Sequence, residues 1–251
     1  MTQEQVVNIA TEISYLMLKN GAEIYRVEQC VRFVANAYGF DDADCFAILT
    51  SIVVTVVDGD KVCTRTKRVT GRTSDLNKVT LLNDLSRYIC SQRPDYETVK
   101  EKIKEIRTKK PYPFWVETVT YMVISFFFGL YFGGTWITAA ICGVVGIVVY
   151  PVQWICERIQ TNLFMVNMIT SAAITIFLCL AYRLIYPHQL DIMIISLIMN
   201  LVPGVALTHC MRDLISNELI SGLARLAEVF IIGAGIAVGV FVVLSLYGLK
   251  I

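Results

Sequence analysis

The 251-residue chain has only two histidines, His188 and His209, and neither lies in its N-terminal half. That half therefore excludes a hydrolytic triad built on histidine and a zinc site that includes one. The sequence also lacks a G-x-x-x-x-G-K-[ST] loop for nucleotide phosphates, which argues against an ATP-driven pump formed by this chain alone. We expect no enzymatic activity, no bound metal and no cofactor.

Three further absences limit the environment of the chain. No Cys-x-x-Cys pair occurs among its eight scattered cysteines, which is typical of reduced, packed thiols. The polar start, Met1-Thr-Gln-Glu-Gln, lacks the profile of a secretory signal, so the first half is expected to stay in the cytosol. The net charge of only +1 argues against nucleic acid as a partner.

Charge is scarce in the second half of the chain. Residues 115–251 hold only five of the 22 Lys and Arg and six of the 21 Asp and Glu, and 55% of the whole chain is hydrophobic. This asymmetry predicts two parts in two solvents, a cytosolic α+β domain at 1–110 and a polytopic α-helical membrane domain at 111–251.

The α+β domain is predicted from changes in hydrophobic period. A helix from Val6 ends at Asn20-Gly21, and a second helix follows it directly. The β-branched run at 46–57 predicts one strand, which Asp58-Gly59-Asp60 joins in a hairpin to a partner strand at 61–69. Two further helices follow Gly71 and Pro94.

Two groups of charges in this domain have open interpretations. Glu23, Arg26 and Glu28 follow the first helix stop and form either a solvated helix face or a functional motif. Arg65 and Arg68, with Lys67 between them, form either an exposed sheet face or a basic patch for an anion.

Five segments approach the roughly 20 apolar residues that cross a bilayer. They lie at 115–132, 135–155, 163–182, 190–210 and 223–247. Six basic residues between Lys100 and Lys110 precede the first span, which favours a multi-pass protein of the inner membrane with a cytoplasmic N-terminus. The pair Gly235 and Gly239 has the small-xxx-small spacing that lets helices approach closely.

The fourth predicted span is interrupted by Pro203-Gly204. A helix breaks at membrane depth only where protein or a water-filled cavity satisfies the freed backbone groups, and such breaks point to a transporter's substrate path. Asn200 and Thr208 flank the break and supply neutral hydrogen-bonding groups. We therefore expect the path at these four positions and just after them.

Four of the charged residues that follow the break are candidate site residues. Arg212 either contacts a carboxylate substrate or anchors the inner side of the membrane, and its neighbour Asp213 points in another direction. Arg225 and Glu228 share a helical face and form either a structural ion pair or a gate that contacts substrate.

Several motifs resemble those of the bacterial threonine/serine exporter family. They are Gly21-Ala22-Glu23-x-x-Arg26-Val27-Glu28, Thr64-Arg65 to Arg68-Val69, Asn200-Leu-Val-Pro-Gly204, Arg212-Asp213-Leu214 and Ser221-Gly222-Leu223-Ala224-Arg225-Leu226-x-Glu228. The resemblance implies a five-span subunit of a two-component exporter, which works with a small membrane partner subunit of the same family. It also implies small carboxylate cargo, either threonine and serine or a dicarboxylate such as succinate.

Two functions remain open. The first is a gradient-driven exporter subunit in the lipid bilayer, which needs its partner or further copies of itself to enclose a path, because five spans form an uneven bundle. The second is a regulatory or scaffolding subunit whose cytosolic domain senses a metabolite. An anchored enzyme would depend on Cys63, and such a thiol is more often merely packed.

Overall fold

The computed structural model describes residues 1–159 and 161–248, so the last residues of the predicted membrane domain lie outside the described part. The elements are α1 Gln3–Lys19, α2 Ile24–Ala37, β1 Asp42–Ile48, β2 Ser51–Asp58, β3 Lys61–Arg68, α3 Leu76–Gln92, α4 Tyr96–Thr108, α5 Phe114–Tyr131, α6 Trp136–Gly146, α7 Val149–Arg158, α8 Leu163–Leu184, α9 Leu190–Ile198, α10 Gly204–Ile215 and α11 Leu219–Tyr247. Two compact units result. The first is Met1–Lys110 with Thr208–Arg225, and the second is Pro111–Leu207 with the chain from Leu226 onward.

Helix α1 begins and ends where local chemistry favours it. At its start the Thr2 hydroxyl accepts from the Gln5 N–H at 3.3 Å, while the Gln5 side chain accepts from the Thr2 N–H at 3.0 Å. At its end Asn20 is the C-cap and Gly21 takes a φ of +95°. The predicted helix stop at these two residues is confirmed.

The sheet has three antiparallel strands in the order β1-β2-β3. The predicted hairpin at Asp58 is confirmed, but the single strand at 46–57 is wrong, because a turn at Leu49 and Thr50 divides it. Strand β1 is acidic, and Asp is depleted in strands. It forms nevertheless because Ala43, Cys45 and Ala47 alternate into the core.

One face of the sheet carries the core of the first unit. Ile52, Val54 and Val56 of β2 are fully buried there, and both α1 and α2 contact the sheet. The alternating residues of β2 remain partly exposed, so the sheet is covered by helices on one face.

Four helical segments of the described chain are long and apolar enough to cross a membrane, namely Phe114–Tyr131, Trp136–Arg158, Leu163–Leu184 and Leu219–Tyr247. The second of these runs through α6 and α7. These spans correspond to four of the five predicted ones, with the last beginning four residues earlier than expected.

The fourth predicted span, 190–210, is not one helix. Helix α9 ends at Ile198 and α10 begins at Gly204, so the predicted interruption before Pro203-Gly204 is confirmed. With nine residues, α9 is far shorter than the roughly 20 that cross a bilayer. The described chain therefore contains four continuous candidate spans and one interrupted segment.

Candidate functional site

A buried group of charges lies in the first unit, where the turn between α1 and α2 meets residues 208–225. The chain reverses at Gly21, whose positive φ favours glycine, and Glu23 follows as the N-cap residue of α2. Glu23 is only 3% exposed. A carboxylate at this depth requires charged or hydrogen-bonding partners, and the motif residues supply them.

Three side chains surround the Glu23 carboxylate. Arg26 Nε lies 2.6 Å from Oε2, Arg212 pairs with Oε1, and His209 Nε2 lies 3.7 Å from Oε1. Burial raises the pKa of Glu23, but a hydrogen bond with Tyr25 and the surrounding cations hold it below its usual value. Glu23 is therefore ionised at neutral pH.

A second ion pair is more deeply buried. Arg225 Nε lies 2.9 Å from Asp213 Oδ2, and the two side chains are 6% and 0% exposed. Arg225 Nη2 also donates to the Ala22 carbonyl at 2.8 Å. Burial raises the pKa of Asp213, and the charge of Arg225 opposes that rise. Arg225 thus connects the start of α11 to α10 and to the turn that precedes Glu23.

The segment that carries these arginines is a tight helical hairpin. Asn217 takes a φ of +66° in the turn, and the Glu218 N–H donates to the Asp213 carbonyl at 2.9 Å. A Cβ on Gly222 would lie 2.7 Å from Leu214, and Cys210 Sγ donates to the Gly222 carbonyl at 3.2 Å. Glycine at 222 therefore lets α10 and α11 approach closely enough for the Asp213–Arg225 pair to form.

The predicted site residues divide between the two units. Arg212, Asp213 and Arg225 meet Glu23 and Arg26 in the first unit. Arg212 and Asp213 do point to different partners, as their adjacency predicted. The remaining path residues lie elsewhere: Thr208 is exposed on α10 within the first unit, whereas Asn200, Pro203, Gly204 and Glu228 belong to the second unit.

The other predicted residues of the N-terminal motifs have separate environments. Glu28 Oε1 accepts from the Ala47 N–H at 3.2 Å, and burial raises the pKa of this carboxyl. Arg65 and Arg68 are three residues apart on β3 and so point to opposite faces of the sheet. They do not form one patch. Arg65 lies on the helix-covered face, beside the buried Val54, and hydrogen-bonds Asn8.

The interruption in the second unit has its own polar contacts. Asn200 Nδ2 donates to Ser125 Oγ of α5 at 2.9 Å and to the Leu197 carbonyl at 3.1 Å. Asn200 Oδ1 is buried and has no hydrogen-bond partner among the described residues. A Cβ on Gly146 would lie 2.8 Å from Ser125 Cβ, so glycine gives this serine its space. The amide of Asn200 thus holds the interruption against α5 and retains an acceptor.

Two residues of these sites were not selected from the sequence. His209 lies three residues before Arg212 on α10, so helical spacing could have indicated that both reach Glu23. Ser125 lies in an apolar stretch of α5, and no feature of the sequence distinguishes it from a serine that bonds only its own helix.

The chemistry of the first site is charge pairing. Asp213 and Arg225 form a balanced pair, whereas the Glu23 carboxylate is shared by Arg26 and Arg212, so the group around Glu23 holds one more arginine than carboxylate. Within residues 1–159 and 161–248, no three His, Cys, Asp or Glu side chains are placed to hold a metal ion. The eight cysteines are free, and six of them are buried.

Comparison with known proteins finds relatives that are named as exporters or transporter subunits and that match most of the chain. A protein of Mycobacterium tuberculosis named "Probable threonine/serine exporter" is 26% identical over 242 residues, which cover 95% of this chain and 45% of that protein. The chain thus spans less than half the length of this relative. Proteins named "Probable succinate transporter subunit YjjP" from Klebsiella aerogenes and Escherichia coli (strain K12) are 21% and 22% identical, with coverage of 99% of this chain and 96% and 97% of theirs.

No solved structure matches the chain significantly. A family model described as "Putative threonine/serine exporter" matches residues 8–247, which is nearly the whole chain. Together with its four candidate spans, this match identifies a multi-pass membrane protein that belongs to the threonine/serine exporter family.

Proposed function

We propose that this chain is a subunit of an inner-membrane exporter of small carboxylate metabolites, and that an ion or proton gradient drives the export. The cargo is threonine and serine, or a dicarboxylate such as succinate, in keeping with the names of the relatives. A small membrane partner subunit completes the path. The partner is suggested by the 45% coverage of the mycobacterial exporter and by the word subunit in the other two names.

The interruption between α9 and α10 carries this proposal. Residues 199–203 belong to neither helix. Their backbone N–H and C=O groups need other hydrogen-bond partners if the segment lies at membrane depth. Asn200 supplies one contact to α5 and keeps Oδ1 as a buried acceptor. That acceptor suits the ammonium group of threonine or serine. Succinate carries no such donor, and for this reason we place the amino acids before succinate as the proposed cargo.

The topology follows from length and charge. We propose that α9, the interruption and the start of α10 form a fifth, broken span, with the N-terminal domain in the cytosol because basic residues precede α5. Helix α11 has 29 residues and rises about 43 Å, which exceeds the roughly 30 Å of hydrocarbon. Its first turns, with Arg225, therefore fit outside the hydrocarbon.

A regulatory subunit is the second candidate, and one observation favours it. The arginines at 212 and 225 are both paired within the first unit, to Glu23 and Asp213. In this alternative, the pairs couple the N-terminal domain to the segment that precedes the last span, and the cargo passes through the partner.

Efflux measurements separate the two candidates. Cells preloaded with labelled serine, threonine or succinate are assayed with this chain alone, with the small partner alone and with both. We expect loss of label only when both are present, and loss of the amino acids before loss of succinate. Efflux from the partner alone would transfer the path to the partner and leave this chain as its regulator.

A continuous helix at the interruption is expected to impair transport. Pro203→Ala with Gly204→Ala restores a backbone donor and helix propensity, so α9 and α10 can join and close the polar gap. We expect efflux to fall about tenfold, which corresponds to a barrier raised by about 1.4 kcal/mol. The measurement is initial efflux rate per copy of protein in the membrane.

The single variant Gly204→Ala is the control for this test. A Cβ at Gly204 meets no atom within 4 Å, so this variant adds no clash and keeps the proline. It should transport at nearly the original rate. Equal rates for the double variant and the original chain would show that the interruption is only a bend.

A further inference from the structure

A cleft of about 350 Å³ in the first unit lies among α1, β3 and α4, apart from the Glu23 site. Its volume is within the range of small-ligand pockets, roughly 300–1,000 Å³. Five of its lining side chains are cationic and one is a carboxylate: Arg65, Lys67, Lys100, Lys104, Arg107 and Glu12. The lining therefore carries four more positive charges than negative ones.

Two elements direct these cations into the same space. On β3, Arg65 and Lys67 point to the helix-covered face of the sheet, where their cross-strand neighbours Val54 and Ile52 are buried. On α4, the three cations are spaced by four and three residues, which places them on one face of the helix. The five cations thus come together only in the folded chain, because β3 and α4 are separate stretches of the sequence.

The neighbouring acidic groups do not balance this charge. Glu12 pairs with both Lys67 and Arg107, so one carboxylate serves two cations. Arg65 donates to the neutral amide oxygen of Asn8. Lys100 has the exposed Glu97 at 3.4 Å as its partner. Burial lowers the pKa of Lys67, and the nearby positive charge of Arg65 lowers it further.

Protection of a sheet edge accounts for only part of this arrangement. Strand β3 is an edge strand, and an inward-pointing charge on such a strand discourages pairing with other chains. That role needs one or two charges on β3 and none on α4. It therefore leaves the three cations that α4 directs into the cleft without an explanation.

We propose that this cleft binds a small anion through its phosphate group. Two guanidinium groups and three ammonium groups match the several acceptor oxygens of a phosphate better than the two oxygens of a single carboxylate. The phosphate can come from a soluble organic phosphate, which is doubly charged, or from the singly charged phosphodiester in the head group of an anionic lipid. Lys109 and Lys110, which lead from α4 to the first span, make the second source chemically reasonable.

Binding is tested with inorganic pyrophosphate on the full-length chain, purified in a neutral detergent and titrated by calorimetry at low salt. We expect saturable binding that weakens as sodium chloride is added. Arg65→Gln in β3 and Arg107→Gln in α4 should each lower the affinity for pyrophosphate about tenfold, because each removes one strong charge-assisted hydrogen bond.

The matched control is Arg68→Gln, which removes the same charge from the opposite face of the same strand. It should leave pyrophosphate binding unchanged. No detectable binding, or an equal loss in Arg65→Gln and Arg68→Gln, would overturn the proposal. Thermal unfolding of each variant checks that the exposed substitutions keep the fold.

Competition identifies the source of the phosphate. Glycerol phosphate and a short-chain phosphatidylglycerol below its micelle concentration are each titrated against bound pyrophosphate. Stronger displacement by the lipid assigns the cleft to head groups, and stronger displacement by glycerol phosphate assigns it to soluble phosphates. Binding is measured without transport, so failure here leaves the exporter proposal unaffected, and the reverse also holds.

Discussion

Arg225→Met is expected to destabilise the first unit by roughly 3–5 kcal/mol, the cost of removing one partner of a buried ion pair. The side chain is 6% exposed and Asp213 is 0% exposed, so the remaining carboxylate would be left without a cation in a site that water does not reach. The Ala22 carbonyl would lose its donor as well. Hydrogen exchange measured by mass spectrometry should show faster exchange in residues 20–30 and 208–225.

Two further variants make this test specific. Arg212→Met removes a cation that is 53% exposed and leaves Arg26 beside Glu23, so its cost should be near the 0–1 kcal/mol of surface pairs. Asp213→Asn combined with Arg225→Met removes both charges of the buried pair and should recover part of the loss. Equal exchange in Arg225→Met and Arg212→Met would contradict the larger cost predicted for breaking the buried Asp213–Arg225 pair.

The sequence was sufficient for features that depend on local periodicity. Apolar runs indicated the four continuous spans, and Pro203-Gly204 indicated the interruption, because proline and glycine act on the backbone at their own positions. Strand β1 was missed because its aspartates reduce strand propensity, while its burial depends on helices packed over the sheet.

The charge pairs could not be deduced from spacing. Sequence spacing favours partners three or four residues apart, such as Arg225 with Glu228, whereas the structure joins Arg225 to Asp213, 12 residues away. Arg212 and Glu23 are 189 residues apart. Contacts of this range are set by packing, and the sequence analysis placed Glu23 and Arg212 in two separate groups of candidate residues.

Gly239→Ala is expected to destabilise the second unit by an amount near the upper end of the roughly 1–3 kcal/mol that overpacking costs. A Cβ at this position would overlap Ser171 Oγ and the Met168 carbonyl, and it would lie 3.0 Å from the Ala172 nitrogen. Two of these atoms belong to the backbone of α8, so no side-chain rotation relieves the contact. Helices α8 and α11 would have to move apart.

Alanine at Gly233 is expected to stabilise the second unit, whereas alanine at Gly239 destabilises it. Gly233 lies on the same helix, is exposed and meets no atom within 4 Å of an added Cβ, so alanine there gains up to about 1 kcal/mol of helix propensity.

Tryptophan fluorescence during thermal unfolding in detergent measures the stability of the second unit, because this unit contains all three tryptophans, Trp115, Trp136 and Trp154. We expect a lower midpoint for Gly239→Ala and an equal or higher one for Gly233→Ala. Equal midpoints for the two variants would mean that α8 and α11 yield easily at this contact, and close packing there would then contribute little to the fold.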